Sequence, residues 1–278
     1  MKINKKIGLL LEKIREKGPL VHHLTNYVTV NDCANITLAI GASPVMADDI
    51  NEVKDMVSLA SSLVINIGTL NSRTVESMLA AGKKANERGI PVILDPVGAG
   101  ATPYRTEIAK KILGDIKLSV IRGNISEIKA LCGLDSVTKG VDAAEAISDD
   151  KDKISAEMDF ARKAAKKLKA IIAITGAIDI ITNGECLYTV ENGHKIMSRV
   201  TGTGCMCSSL IGSCLGTGED SLTAALSGVA AMGIAGEVAY EKVKEKNLGT
   251  GSLKVYIIDE IFKINKETII KRGKIYEQ

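Results

Sequence analysis

Short apolar segments alternate with longer amphipathic segments along most of the chain. The apolar segments at residues 20–30, 43–47, 63–67, 91–95, 118–121 and 171–174 predict buried strands, the first of which runs into a polar turn. Amphipathic segments at residues 1–17, 31–40, 50–61, 72–88, 107–113, 126–131 and 157–169 predict helices. Apolar strands separated by amphipathic helices indicate an α/β fold, with a mostly parallel sheet covered on both faces.

The second half of the chain departs from this alternation. Residues 179–182 and 187–190 flank Asn183-Gly184, which is typical of a β-hairpin, and residues 194–200 predict a third antiparallel strand. The sheet is therefore expected to end in an antiparallel edge. Residues 140–156 are the most polar stretch and predict a solvated connection. Helices are expected at residues 222–244, 253–263 and 266–272.

The sequence from Val200 to Gly216 joins a glycine-rich turn to an apolar helix and contains no charged side chain. Gly202 and Gly204 allow a tight turn, and the first N–H groups of the following helix would point together at one place, where an anion is favoured. We predict a phosphate site there. Cys205 falls in the first helical turn, where the helix dipole favours a thiolate. The alternative is a plain strand-to-helix turn with a small core cysteine.

Composition mainly excludes classes of function. With 278 residues, 45% of them hydrophobic, and no visible linker, the chain is expected to form one domain over residues 1–278. A net charge of +3 spread along the sequence, with no Trp and only two Phe, argues against a nucleic-acid partner. Six cysteines without paired metal spacing, and an N-terminus without a signal peptide's apolar core, predict a cytoplasmic protein with reduced thiols.

Two uncharged runs, at residues 200–218 and 221–236, raise the question of a membrane hairpin. Both runs are rich in Gly, Ala, Ser and Thr, and no aromatic belt flanks them. We therefore predict two buried helices whose small residues let their backbones approach closely, and no membrane partner.

Candidate chemistry gathers at the predicted strand exits, because ligands of parallel α/β folds bind beyond the carboxyl ends of the strands. This rule selects Met46 and residues 66–69, 95–100 and 122–127. Asp95 and Glu127 lie at neighbouring exits, and paired carboxylates suit Mg²⁺, which phosphoryl transfer needs to offset charge. Arg122 could grip phosphate oxygens with its forked guanidinium. The alternatives are an Asp-Pro turn at residue 95 and a helix-start carboxylate at Glu127.

A group of polar side chains surrounds the start of the second predicted helix. Asn26, Asn31 and Asn35 can each donate and accept hydrogen bonds, which suits recognition of a small neutral heterocycle. Capping of turns is the alternative. His22 and His23 alternate along a strand, so at most one is expected to face a site, and a buried structural histidine is the alternative.

Six motifs together resemble the hydroxyethylthiazole kinase family of the ribokinase-like superfamily. They are His23-Leu-Thr-Asn-Tyr-Val28, Asn31-Asp-Cys-Ala-Asn35, Gly41-Ala-Ser-Pro-Val-Met-Ala47, Asp95-Pro-Val-Gly-Ala-Gly100, Arg122-Gly-Asn-Ile-Ser-Glu127 and Thr201-Gly-Thr-Gly-Cys205. The resemblance spans nearly the whole chain. It implies a three-layer α/β/α fold and transfer of the ATP γ-phosphate to the primary hydroxyl of 4-methyl-5-(2-hydroxyethyl)thiazole, for thiamine salvage. It also implies a homotrimer with the thiazole bound between subunits.

The same resemblance implies residue roles. It assigns thiazole binding to Asn26, Met46 and Gly202, ATP binding to Arg122, Asn124 and Thr175, Mg²⁺ to Asp95 and Glu127, and catalysis to Cys205 with Gly202 and Gly204. Many sugar kinases of the superfamily carry aspartate in a Gly-Ala-Gly-Asp loop where this chain carries Cys205. A thiol with a free pKa near ~8.5 is a weaker base than a poised carboxylate, so slow turnover is expected.

Three other functions compete with this interpretation. A hydroxymethylpyrimidine kinase shares the superfamily fold, but the asparagine-rich N-terminus and Cys205 argue against it. A nicotinamide-nucleotide-hydrate dehydratase uses a similar nucleotide pocket to eliminate water. A non-enzymatic nucleotide sensor would be expected to lose a carboxylate or the Gly-Thr-Gly-Cys loop, and this chain keeps both.

Overall fold

A computed structural model describes residues 2–134 and 151–278. The described strands are β1 (Leu20–Leu24), β2 (Ser43–Val45), β3 (Ser62–Asn66), β4 (Val92–Asp95), β5 (Val120–Gly123), β6 (Ile171–Ile174), β7 (Asp179–Thr182), β8 (Leu187–Val190) and β9 (Ile275–Glu277). The α-helices are α1 (Lys2–Lys17), α2 (Val30–Ile40), α3 (Val53–Leu59), α4 (Ser72–Glu87), α5 (Pro103–Asp115), α6 (Ile125–Leu131), α7 (Lys151–Leu168), α8 (Thr203–Leu215), α9 (Ser221–Glu245), α10 (Thr250–Lys263) and α11 (Lys266–Arg272).

All of these strands form one sheet in the order β2-β1-β3-β4-β5-β6-β7-β8-β9. Strands β1 to β6 run parallel, and β7, β8 and β9 each pair antiparallel with the strand before them. The predicted mostly parallel sheet with an antiparallel edge is confirmed. The register of β3 against β4 pairs Asn66 with Asp95. Because residues paired in this way face the same side of a sheet, the last residues of two strands project together.

Helices cover both faces of the sheet, and each face has its own core. One core gathers buried side chains of α1, α2 and α8 to α11, and the other gathers those of α3 to α7. The buried central strands contribute to both cores; Val64, for example, packs on the first side and Ile65 on the second. This is the expected three-layer α/β/α arrangement. The carboxyl ends of the parallel strands lie at the edge of the sheet, between the two helical layers.

The two small-residue helices are core helices. A Cβ atom added to Gly228 of α9 would lie 2.7 Å from the backbone nitrogen of Ile211 in α8, so the backbones approach as closely as predicted. Among the described residues, α9 is the one helix long and apolar enough to cross a membrane, but 83% of its apolar window is buried inside the fold. Its length and hydropathy therefore reflect a place in the core.

The strand predicted at residues 194–200 is wrong. Residues Lys195–Arg199 form a 3₁₀ helix, and the partner of β8 is β9, near the C-terminus. The His194 ring nitrogen accepts the N–H of Ile196, and the ring stacks on Tyr240 with centroids 3.5 Å apart. Side-chain to backbone hydrogen bonds of this kind compete with strand pairing. Strand β9 has three residues, too few to show a periodic pattern.

Helices α5 and α7 begin four or more residues before the positions that the sequence pattern predicts. Helix α5 begins at Pro103, because Thr102 accepts the N–H of Arg105 and proline favours the first helical position. Helix α7 begins at Lys151, so the last six residues of the predicted solvated connection are helical. The remainder of that connection, residues 140–150, lies outside the described part of the chain.

Candidate active site

Asp95 is the centre of the polar groups at the strand exits. Its side chain is buried, and Oδ2 accepts hydrogen bonds from Asn66 Nδ2 at 2.9 Å and from Ser208 Oγ at 2.8 Å. Arg122 Nη1 lies 3.6 Å from the same oxygen. Burial raises the pKa of Asp95, while Arg122 and the two hydrogen bonds oppose that rise. The carboxylate is therefore held by donors from three different elements.

Arg122 spans the gap between the carboxylate and the next loop. Its Nη2 atom donates to Thr175 Oγ1 at 2.6 Å, and its side chain is 15% exposed. A Cβ atom added to Gly204 would lie 2.5 Å from Arg122 Nη1, so the guanidinium lies directly against the first turn of α8. Glycine is required at this position because any larger residue would displace the charge. The structure thus brings Arg122, Thr175 and Gly204 together.

Glu127 and Asn124 close the loop on the other side of Arg122. They form a capping box at the start of α6, in which Asn124 Oδ1 accepts the N–H of Glu127 and Glu127 Oε2 accepts the N–H of Asn124, both at 2.8 Å. Glu127 Oε1 accepts the N–H of Gly98, also at 2.8 Å. Burial, followed by the charge of Asp95, raises the pKa of Glu127 to about 7. Glu127 therefore caps the start of α6, which is the alternative that the sequence left open. Its carboxyl group also interacts electrostatically with Asp95.

Cys205 lies where two asparagine side chains meet. Its Sγ atom accepts hydrogen bonds from Asn26 Nδ2 and from Asn66 Nδ2, each at 3.3 Å. Burial, followed by the charge of Asp95, raises the pKa of the Cys205 thiol. This direction opposes the thiolate expected from the helix N-terminus, because burial costs more than the nearby dipoles return. Cys205 is consequently a neutral, hydrogen-bonded thiol in the unliganded protein.

Gly202 is the N-cap of α8 and adopts a left-handed conformation with φ of 88°. A Cβ atom added there would lie 2.8 Å from Thr29 Cγ2 and 3.5 Å from Asp32 Oδ2. The position thus excludes other residues by its backbone conformation and by its neighbours. The start of α2 therefore packs directly against the glycine turn.

The remaining predicted site residues have different surroundings. Met46 lies half-buried one residue beyond β2, the outermost strand at the parallel edge of the sheet. Asn31 and Asn35 are exposed and bond to each other, with Asn35 Nδ2 donating to Asn31 Oδ1 at 2.9 Å. Of these three asparagines, only Asn26 contacts the group around Asp95 and Cys205. Asn31 and Asn35 lie within α2 and bond to each other along the helix, so neither caps a turn.

Both strand histidines are buried, which fits the alternative interpretation of a structural role. His23 Nε2 lies 3.2 Å from Ser209 Oγ, and burial lowers the pKa of His23 to about 4. His22 Nε2 lies 2.6 Å from the carbonyl oxygen of Ala47. Both rings are uncharged at neutral pH, because burial disfavours the imidazolium form. His22 thus joins β1 to the segment after β2, and His23 joins β1 to α8.

Two residues of the site were missed as functional candidates. Asn66 is selected only as part of a strand exit, yet it contacts both Asp95 and Cys205. Ser208 donates to Asp95 and lies three residues after Cys205, which is the spacing of one face of a helix. That spacing is a sequence signal from which Ser208 could have been selected as a site residue. For Asn66, the parallel register with Asp95 decides the contact, and no local pattern reveals it.

The donor set at Asp95 and Glu127 fits a hard cation with few protein ligands. Asp95 Oδ1 is buried and has no hydrogen-bond partner among the described residues. In that same part of the chain, no group of three or more His, Cys, Asp or Glu side chains could hold a metal. Mg²⁺ prefers one or two carboxylates and takes its other ligands from water and phosphate. The two carboxylates therefore suit Mg²⁺ that arrives with a nucleotide.

Asp179 is a further buried carboxylate that interacts electrostatically with Arg122. Its raised pKa lets us predict how the stability of the fold depends on pH. Its Oδ1 atom accepts the N–H of Gly176 at 2.9 Å, and burial raises the pKa of Asp179 to about 7. Between pH ~4 and pH ~7 the folded protein keeps a proton here that the unfolded chain has released, so stability should fall as pH rises through this window. Asp179→Asn should flatten the fall, measured by urea midpoints at pH ~5.5, ~6.5 and ~7.5. Parallel curves for the two proteins would contradict this origin.

The layered fold, with a glycine turn, a guanidinium and paired carboxylates at the strand exits, defines a ribokinase-like small-molecule kinase. The structure of the pyridoxal kinase from Staphylococcus aureus in complex with AMP-PCP and pyridoxal shares the fold, with a TM-score of 0.53 at 15% identity, over 79% of this chain and 88% of that one. The chain belongs to the hydroxyethylthiazole kinase family, whose model matches residues 11–267.

Individual relatives agree over the full length of the chain. It is 58% identical to a hydroxyethylthiazole kinase of Clostridium tetani over 276 residues, which cover 99% of both chains. It is 55% identical to that of Alkaliphilus oremlandii over 277 residues, which cover all of both. The structure of the hydroxyethylthiazole kinase protein from Pyrococcus horikoshii has a TM-score of 0.88 at 39% identity and covers 99% of each chain.

Proposed function

We propose that the chain transfers the γ-phosphoryl group of ATP to the primary hydroxyl of 4-methyl-5-(2-hydroxyethyl)thiazole, giving the thiazole phosphate for thiamine salvage in the cytoplasm. Residues 1–278 would form the single kinase domain. The observation that supports the proposal best is the meeting of three groups at the start of α8: the Arg122 guanidinium, the Asp95 carboxylate and the Cys205 thiol. Membership of the hydroxyethylthiazole kinase family supplies the substrate.

The phosphate end of the site would consist of Arg122 and the glycine turn. The unpaired N–H groups at the start of α8 and the guanidinium both stabilise negative charge, which spreads over the γ-phosphate oxygens during transfer. Arg122 is pre-positioned by Thr175 and Asp95, so little side-chain entropy is lost when a nucleotide binds. Asn124 would contribute by fixing the start of α6 beside the nucleotide.

Asp95 and Glu127 would hold Mg²⁺, directly or through water. When bound, the ion offsets negative charge on the triphosphate. Asp95 Oδ1 is buried without a hydrogen-bond partner in the part of the chain that the structure describes, while both oxygens of Glu127 already accept backbone N–H groups. Asp95 is accordingly the direct ligand in this proposal, and Glu127 keeps the loop at Gly98 in place and adds charge.

The hydroxyl end of the site would consist of Cys205, Asn26 and Gly202. A neutral thiol is a weak proton acceptor, so the high pKa of Cys205 favours a positioning role over a strong base. Two amide donors fix the sulfur, which leaves its own hydrogen free to contact the substrate hydroxyl. Transfer would then depend mainly on alignment and on charge stabilisation, which is what phosphoryl transfer requires.

A coupled assay tests the proposal directly. The protein is incubated with ATP, Mg²⁺ and either the thiazole alcohol or hydroxymethylpyrimidine, and ADP formation is followed. We expect ADP only with the thiazole, at a rate that depends on its concentration. Preference for the pyrimidine would favour the related pyrimidine kinases, and loss of nicotinamide-nucleotide hydrate without transfer to an alcohol would favour a dehydratase. Nucleotide binding without turnover on either alcohol would favour a sensor.

Substitutions of Cys205 separate a polar role from simple packing. Cys205→Ser should keep the fold and lose about tenfold in kcat, because the shorter C–O bond moves the polar atom away from the place of the sulfur and a hydroxyl gives up its proton less readily than a thiol. Cys205→Asp should retain or raise kcat, since the amides of Asn26 and Asn66 can donate to a carboxylate and the start of α8 tolerates its charge. The measurement is kcat across pH for all three proteins. If Asp abolishes activity while Ser leaves it unchanged, Cys205 only packs.

We further propose a homotrimer in which Met46 of one subunit completes the thiazole pocket of another. Tyr27 and Val28, next to Asn26, are 78% and 57% exposed, so an apolar surface borders the site. Met46→Lys and Gly202→Val should each be inactive alone, and mixed subunits should regain activity through hybrid sites. Absence of recovery after verified subunit exchange would contradict a shared site.

A further inference from the structure

Asn66 is a buried amide that connects the two chemically distinct ends of the site. Its Nδ2 atom lies 2.9 Å from Asp95 Oδ2 and 3.3 Å from Cys205 Sγ, and its side chain belongs to the last residue of β3. The residue is 1% exposed, so it does not reach substrate itself. Any effect of Asn66 on turnover must therefore act through the residues that it holds.

The orientation of the Asn66 amide is determined by its neighbours. Oδ1 accepts from the N–H of Gly68 at 2.9 Å and from Asn26 Nδ2 at 3.0 Å. A flipped amide would place its NH₂ group against these two donors and its oxygen against the Asp95 carboxylate, so these three contacts would be lost. Both hydrogens of Nδ2 are consequently committed, one to the carboxylate and one to the sulfur.

We infer that Asn66 is a positioning residue that fixes Cys205 and Asp95 relative to each other, so that the acceptor hydroxyl and the phosphate-side carboxylate are aligned as one unit. The inference rests on the proposed kinase function and deepens it. Cys205 lies on α8 and Asp95 on β4; Ser208 donates to Asp95 and Asn26 donates to Cys205, whereas the Asn66 amide donates to both. An amide is suited to this place because it donates twice and does not ionise near neutral pH.

Two substitutions distinguish a donor from a packing residue. Asn66→Asp keeps the shape but turns an acceptor toward Asp95 and Cys205, whereas Asn66→Ala removes the side chain. A donor role predicts that kcat falls by about 10- to 100-fold in both variants, with the KM for ATP changed less than about threefold. A packing role predicts that the isosteric Asp variant is much milder than the Ala variant, and this result would overturn the inference.

A double-mutant cycle tests whether Asn66 acts through the sulfur. In the Cys205→Ala background, the loss caused by Asn66→Ala should be at least about fivefold smaller than in the wild type. Equal losses in the two backgrounds would overturn the inference. Thermal melting of each protein establishes that the compared enzymes are folded at the assay temperature.

Alkylation of Cys205 provides a measurement that needs no kinase activity. The rate of its reaction with iodoacetamide, followed by peptide mass spectrometry, is referred to that of the exposed Cys186 in the same chain. Asn66→Asp should slow the reaction at least about tenfold, because a carboxylate beside the sulfur disfavours the reactive thiolate. An unchanged ratio would overturn the contact between Asn66 and Cys205, whether or not the thiazole is the substrate.

Asn192 offers a matched control outside the site. It is a buried asparagine whose Nδ2 donates to Glu237 Oε2 at 3.2 Å and to the Arg272 carbonyl at 2.9 Å, while its Oδ1 accepts the N–H of Lys274. Asn192→Ala and Asn192→Asp should lower the melting temperature but leave kcat and the Cys205 alkylation ratio unchanged. A loss of kcat equal to that of the Asn66 variants would mean that general destabilisation explains both, and would overturn the inference.

Discussion

Asp95→Asn is expected to lower kcat by at least about 100-fold and to raise the Mg²⁺ concentration needed for half-maximal activity. The carboxylate is buried, its Oδ1 has no hydrogen-bond partner among the described residues, and Oδ2 is the shared acceptor for Asn66, Ser208 and Arg122. The side chain of the asparagine variant has a single, uncharged oxygen. Its NH₂ group would face either the cation or the donors that Asp95 Oδ2 now accepts. The measurement is kcat across a Mg²⁺ titration, with circular dichroism to show that the fold persists.

Asp179→Asn is the matched control for this loss. Asp179 is also a buried carboxylate that influences Arg122, but its contact is with the N–H of Gly176, which an asparagine oxygen can still satisfy. Its kcat and Mg²⁺ dependence should stay within about threefold of the wild type. Equal losses in both variants would show that any buried charge near Arg122 suffices, and normal Mg²⁺ dependence in Asp95→Asn would remove Asp95 from the metal site.

Gly204→Ala is expected to lower kcat/KM for ATP by about 100-fold while leaving the protein folded. The new methyl carbon would lie 2.5 Å from Nη1 and 2.9 Å from Nη2 of Arg122, so the guanidinium must leave its place. Stability should suffer little, because the long side chain can move and alanine favours a helix over glycine by about 1 kcal/mol. Steady-state kinetics with varied ATP and a thermal melt measure the two effects.

Gly114→Ala is the matched control, because it makes the same substitution in a helix at a position where the new methyl group meets no other atom. Gly114 lies in α5, and no atom lies within 4 Å of an added Cβ. This variant should keep wild-type kinetics. If Gly204→Ala were equally active, Arg122 would not need its observed position, and its role in binding phosphate would be contradicted.

The motifs predicted several local features of the candidate site because each is a local requirement. Gly202 needs a left-handed backbone, Asn124 and Glu127 cap one helix, and Asp95 ends a strand of four buried residues. Such features depend on a few neighbouring residues and can be recognised from sequence. The thiolate expected at Cys205 could not be judged in this way, since burial and the charge of Asp95, which comes from a distant strand, raise its pKa.

The antiparallel edge of the sheet likewise has one part that local sequence predicts and another that depends on distant residues. The Asn183-Gly184 turn predicted β7 and β8 correctly, because a tight hairpin is encoded in its own residues. The third strand was placed at residues 194–200 because it follows directly in sequence, whereas the observed partner is β9. A three-residue strand carries no periodic signal, so only long-range packing selects it.

By itself, the sequence determined the alternation of strands and helices, the glycine turn before α8 and the charged residues at the strand exits, because periodicity, turn chemistry and capping act over a few residues. Tertiary structure alone decided which side chains meet. The parallel register that sets Asn66 beside Asp95, and the packing of α8 that brings Cys205 to the amides of Asn26 and Asn66, join residues 29 to 179 positions apart. Contacts over such separations follow from the whole core and from no local pattern.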